Sequence, residues 1–208
     1  MKLLDKLKNK VKFDKKIMLF LFILGLIGLI SGSIFVTILN NSDTKILEEQ
    51  LNLFLDNIQN NNINYITILK NNLLTNIPYV IIIWLLGISI IGLPIILIMF
   101  FSKTFILGFT IASILSTYKF KGILFALLYS FPGQILSVIV FSILTMYAMS
   151  FSFRLIYAII KKKTIDFRLL MNKYLSIFVI SLSIVIITNL YDTFVMPNLI
   201  EHIISFIR

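Results

Sequence analysis

Five stretches of the chain carry no charged side chain, and two of them are too long to cross a bilayer as single straight helices. They cover residues 17–39, 71–102, 104–118, 122–153 and 174–191, with lengths of 23, 32, 15, 32 and 18 residues. At about 1.5 Å of rise per residue, roughly 20 residues span the hydrocarbon core. Hydrophobic residues make up 59% of the 208 and charged residues 13%, and a soluble core of this size cannot enclose that much apolar surface. The expected fold is an all-α, polytopic membrane helical bundle.

Both overlong stretches contain helix breakers: Gly87, Gly92 and Pro94 in one, Pro132 and Gly133 in the other. Proline removes a backbone donor and clashes with the preceding turn. The expectation is therefore about five spans, two of them broken helices, at 17–39, 77–101, 104–118, 123–153 and 174–191. Placing the N-terminus inside puts 14 of the 19 lysines and arginines on the cytoplasmic side, as the positive-inside rule requires, with the C-terminus out. A rival topology, with 104–131 as a re-entrant hairpin, would put Lys161, Lys162 and Lys163 outside. The first apolar run is too long for a signal peptide and reads as a retained anchor.

Outside the spans, the net charge of +10 sits on residues flanking the apolar runs. It reads as a topology signal with affinity for anionic lipid, at about 1 kcal/mol per residue; membrane lipid is an expected partner and nucleic acid is not. Residues 2–16, with Leu4, Leu7 and Val11 on one side, predict a basic interfacial helix. Residues 40–76 predict an extracytoplasmic helical hairpin. Ser42 or Asp43 would cap its first helix, and Leu47, Leu51, Phe54, Leu55 and Ile58 form an amphipathic stripe. Gln59, Asn60, Asn61 and Asn62 would make the turn. Tyr65, Ile66, Leu69 and Leu73 would line the second helix. The stripe either packs on the bundle or receives a partner. The tail over 192–208 repeats the pattern with Leu199, Ile200, Ile203, Ile204 and Ile207.

Chemistry is sparsely supplied. There is no cysteine and a single histidine, His202, so disulfides, thiol nucleophiles and multi-histidine metal sites are excluded. Ser89, between Gly87 and Gly92, has the look of an intramembrane protease serine, but His202 in the outer tail is no plausible base for it. Small residues that let helices approach explain Gly87, Ser89 and Gly92 more economically, and Gly28 and Gly32 form a further close-contact pair. No charge falls inside any expected crossing, which argues against a proton-driven pump. The expectation is a chain that is not an enzyme and needs no cofactor or metal. The alternative is a transport or channel component whose midplane site forms where the helices break, at Ser89, Pro94, Ser130 and Gln134.

The run from Trp84 through Gly87, Ser89, Gly92 and Pro94 to Ile96 resembles the core of the stage II sporulation protein M family. The likeness continues through Lys103, Gly108, Phe109 and Thr110, Lys121 and Gly122, the break at Pro132, Gly133 and Gln134, and Phe151 with Ser152. Relatives carry proline followed directly by Gln-Asn, whereas Gly133 here separates Pro132 from Gln134. The resemblance implies a non-enzymatic membrane scaffold of forespore engulfment. It would localise two peptidoglycan hydrolases, the stage II sporulation proteins D and P, at the outer surface of the mother-cell engulfing membrane. Residues Leu47, Leu51, Phe54, Leu55 and Ile58 are then the expected docking face. Gly87, Ser89, Gly92, Pro94, Pro132, Gly133 and Gln134 are the expected packing and break positions.

Overall fold

Helices account for nearly all of the computed structural model, which describes residues 14–60, 62–161 and 166–204, with no strand among them. The expected basic helix up to residue 13, Asn61 of the turn, Lys162, Lys163, and Ile207 of the tail lie outside the described residues. In chain order the helices are α1 (Lys15–Thr37), α2 (Asn41–Gln59), α3 (Tyr65–Ile88) and α4 (Gly92–Tyr118). A 3-10 turn (Lys119–Lys121) leads to α5 (Gly122–Ser130), then α6 (Gly133–Lys161), α7 (Phe167–Phe194) and α8 (Met196–Glu201). Five helical stretches are long and apolar enough to cross a membrane: α1, α3, α4 with α5, α6, and α7 with α8.

The number of spans matches expectation, but their division does not. The charge pattern predicts one span running through Gly92 and Pro94 and ending before Lys103. Instead α3 stops at Ile88, three residues turn, and α4 starts at Gly92 and runs unbroken through Lys103. Gly92 and Pro94 thus open a helix, where a proline lacking its N–H costs nothing. Lysine is a good helix former and does not end one. The second arm of the expected hairpin is likewise no separate helix, because α3 runs on from Tyr65 with Pro78 inside it. The N-cap of α2 is Asn40 rather than Ser42 or Asp43, and it makes no side-chain cap bond.

Two cores hold the molecule. The larger lies among α1, α3, α4, α6 and α7 and includes Leu21, Ile83, Ile96, Phe141, Leu144 and Val185. The smaller joins Leu55 and Ile58 of α2, Ile114 at the end of α4, Phe125 of α5, and Met196 and Ile200 of α8 into a cap over one end. The other end carries Lys15, Lys16, Arg154, Lys161, Arg168 and Lys173, where α1 and α7 begin and α6 stops; it is the basic end. Of the tail's apolar residues, Ile200 and Ile204 are buried, Ile203 is half-buried and Leu199 is exposed.

The closest helix crossing joins α1 to α4. A Cβ on Gly32 would collide with the Phe105 carbonyl, one on Gly28 with the Thr104 hydroxyl, and one on Gly108 with the Leu29 carbonyl. Ser33 Oγ donates across the crossing to the Gly108 carbonyl at 3.3 Å. The glycine pair of α1 therefore serves contact within the chain. Gly32→Val is expected to destabilise the bundle by about 3 kcal/mol, at the upper end for overpacking, in denaturant titration of the detergent-solubilised protein; an unchanged midpoint would contradict the crossing. Lys119, at φ 50° and ψ −131°, adopts backbone that suits glycine. Lys119→Gly is expected to raise the same midpoint, by about 1 kcal/mol.

Candidate functional site

Polar side chains run along the facing surfaces of α3, α4, α6 and α7. Lys103, eleven residues into α4, donates from Nζ to Asn76 Oδ1 on α3 at 2.7 Å. Asn76 in turn donates from Nδ2 to Asn189 Oδ1 on α7 at 2.7 Å. One turn along each helix, Asn72 Nδ2 donates to Thr193 Oγ1 at 3.4 Å, and Ser137 of α6 bonds Thr188 of α7 at 3.2 Å. The Lys103 ammonium also lies 5.0 Å from the Phe141 ring centroid and 5.6 Å from that of Tyr79. Amide oxygen and aromatic faces thus replace the water that a lysine loses on entering the bundle. The Tyr79 hydroxyl donates to the Met99 carbonyl, tying α3 to α4 beside this lysine.

The counter-charge is Asp192, three residues beyond Asn189 on α7 and within Coulombic reach of Lys103. Its carboxylate presses against Gly133, the first residue of α6, where any Cβ would clash with it. A helix N-terminus exposes N–H groups without intrahelical acceptors and carries a partial positive charge, so it favours a carboxylate there. Gly133 permits that approach, and Gln134 lies beside Tyr129 across the break. Asp192 Oδ1, Asn189 Nδ2, Ser130 Oγ and Thr145 Oγ1 are buried without a hydrogen-bond partner.

The other break is braced at the basic end. Gly87 sits at the C-terminus of α3, where carbonyls lose their intrahelical donors. Ser152 Oγ of α6 donates to the Gly87 carbonyl at 2.6 Å and lies 3.4 Å from that of Ser89. Tyr174 of α7 donates from its hydroxyl to the Trp84 carbonyl at 2.9 Å, and its ring stacks on those of Trp84 and Phe151. A Cβ on Gly87 would strike the Tyr174 hydroxyl and Ala148, and one on Gly92 would strike the Leu86 carbonyl. Of the positions read as packing and break residues, Gly87, Gly92 and Gly133 are buried, Pro132 and Gln134 are half-buried, and Ser89 and Pro94 are exposed.

Two expectations fail. The breaks do not meet at a midplane cavity: Ser89 and Pro94 lie at the Ser152 end of α6 and Gln134 at its beginning, and α6 covers about 28 Å between Gly133 and Ser152. The spans are also not free of charge, since Lys103 and Asp192 lie within spanning segments. Treating each charge as a span boundary concealed this. A signal was present in the spacing: Asn72 with Asn76, and Asn189 with Thr193, each four residues apart, mark one polar stripe on otherwise apolar helices. Of the stripe expected on α2, Leu55 and Ile58 are fully enclosed and Leu47, Leu51 and Phe54 half-buried. Phe54 packs on Phe125 and Tyr129 of α5. His202 bonds the Asn198 carbonyl in α8, at the opposite end of the bundle from Ser89.

A family model described as Stage II sporulation protein M matches residues 17–197, from the third residue of α1 into α8. The chain belongs to the stage II sporulation protein M family. With five membrane-length helices, it is a multi-pass membrane protein of that sporulation family. No curated protein and no solved structure matches the chain significantly. The match covers both the polar stripe and the two breaks.

The Lys103–Asp192 arrangement yields a stability test. Lys103→Met removes the donor to Asn76 and strands a carboxylate inside the bundle, and is expected to cost about 2 kcal/mol. Adding Asp192→Asn should restore at least half of that loss in a double-mutant cycle; strictly additive losses would show that the two charges are not coupled.

Proposed function

We propose that this member of the stage II sporulation protein M family is a non-enzymatic membrane scaffold that localises peptidoglycan hydrolases during forespore engulfment. The reading places it in the mother-cell engulfing membrane, with the N-terminus inside and the cap outside. The hydrolases are the stage II sporulation proteins D and P, as the family resemblance implies. The observation that carries the proposal is the cap. Here α2, α5 and α8 enclose a core of their own on the end opposite the basic one, a fixed platform where partners could assemble.

The docking face needs correction within this proposal. Leu55 and Ile58 are enclosed by the cap with Leu51 and Phe54 packed against them, so these four residues of the stripe hold the platform together, and Leu47 lies beyond that core. The face of α2 turned outward carries Ile46 and Leu53, each more than half exposed, with Glu49 and Gln50 beside them. This mixed face is the proposed contact for the hydrolases.

A transport or channel role is the second reading, favoured by Lys103 and Asp192, because ionisable side chains inside a membrane commonly mark a pathway. The separation of the two breaks removes the midplane site first expected for it.

Ile46→Asp combined with Leu53→Asp is expected to abolish co-purification of the two hydrolases from solubilised sporulating cells while leaving thermal stability near that of the parent. Leu55→Asp should instead lower stability through the cap. Hydrolases recovered in full with the first variant would exclude this face, and their absence from the parent's own purification would exclude the scaffold.

A further inference from the structure

The basic end contains a cavity that the scaffold reading does not use. It has a volume of about 690 Å³ and lies between the first turn of α1, the last turns of α6 and the first turns of α7. Among the described residues, Lys15, Lys16, Arg154 and Lys173 line it, together with the carboxylate of Asp14. That carboxylate is engaged locally: Asp14 Oδ1 accepts from the Lys16 and Ile17 backbone at 3.2 and 3.5 Å and caps α1. Among the described lining residues, cations from three helices that are far apart in sequence therefore outnumber carboxylates.

An independent observation points to a missing acceptor. Tyr147, in the cavity wall, is only 7% exposed, and its hydroxyl is buried with no hydrogen-bond partner. A buried hydroxyl left unpaired costs about 1–3 kcal/mol, so its retention beside cations fits a ligand oxygen. Lys173 lies 5.7 Å from the centroid of the same ring, which brings a cation and this donor to one wall.

We infer that this cavity binds a phosphate-bearing anionic group, presented as the headgroup of a phospholipid in the surrounding leaflet. Phosphate oxygens accept charge-assisted bonds from Arg154 and the lysines, and the guanidinium can engage two at once. The apolar surroundings favour a lipid over a free anion. Directly beyond Lys15 and Lys16, α1 exposes Met18, Leu19 and Phe22, and α6 exposes Phe153 at the cavity rim. Acyl chains would lie along this surface while the headgroup enters the cavity. A volume of this size suits such a headgroup, since small-molecule sites occupy about 300–1,000 Å³. Basic pockets between spanning helices on the cytoplasmic side are where anionic lipid is recognised.

The test is native mass spectrometry of the full-length detergent-solubilised protein, titrated with phosphatidylglycerol, phosphatidylcholine or inorganic phosphate. The expected result is one retained phosphatidylglycerol, weakened about tenfold or more in Arg154→Gln/Lys173→Gln. No such change should occur in Lys161→Gln/Arg168→Gln, which removes equal charge at the same end outside the cavity. Tyr147→Phe, which deletes only the unpaired hydroxyl, is expected to weaken retention two- to fivefold without lowering thermal stability. Equal losses in both double variants would overturn the site in favour of diffuse attraction to the basic end. Equal retention of phosphatidylcholine would overturn the anionic specificity. Phosphate that binds as tightly as the lipid would overturn the lipid assignment.

Discussion

Helices in a bilayer gain nothing from hiding apolar surface from one another, because lipid tails are as apolar as their side chains. What holds them is close packing, and here the crossing of α1 on α4 supplies the tightest contact. Gly28, Gly32 and Gly108 bring backbone against backbone, and Ser33 bonds across. Once α4 is fixed along α1, Lys103 faces the interior, and the arrangement of α3, α6 and α7 follows from the need to surround it. The two glycine-rich breaks have a similar role at the ends. At Gly87 a neighbouring serine reaches carbonyls that the bilayer would leave unsatisfied, and at Gly133 the Asp192 carboxylate lies against the start of α6.

The polar stripe reconciles this packing with the absence of water. Asn76 accepts from Lys103 and donates to Asn189, so one amide serves both a cation and a second amide. Asp192 finds its compensation at the start of α6 as well as in Lys103. The stripe follows facing surfaces of four helices and would be lost by rotating any one of them, which fixes their mutual orientation more narrowly than apolar contacts could.

Much of this was legible in the sequence. Charge-free length fixed the number of spans, small-residue spacing located the close contacts, and the amphipathic pattern of α2 marked its buried side. The errors share a physical cause: a lysine was read as a signal of the membrane surface, although a lysine with an amide and two aromatic rings in reach can remain inside. That compensation comes from α3 and α6, remote in sequence, so no local window contains it. The burial of Leu55 and Ile58 was equally invisible, because an apolar stripe looks the same whether its own chain or another covers it. The mixed cation and tyrosine lining of the cavity arises from three separate segments and has no motif.

The cap also imposes an order on biogenesis. Leu55 and Ile200 belong to one enclosed core, yet some 145 residues and most of the spans are made between them. While the chain emerges from the ribosome, α2 waits with its apolar side uncovered, and only the arrival of α8 completes the enclosure. The cap therefore exists on finished molecules alone, and half-inserted chains lack its folded surface.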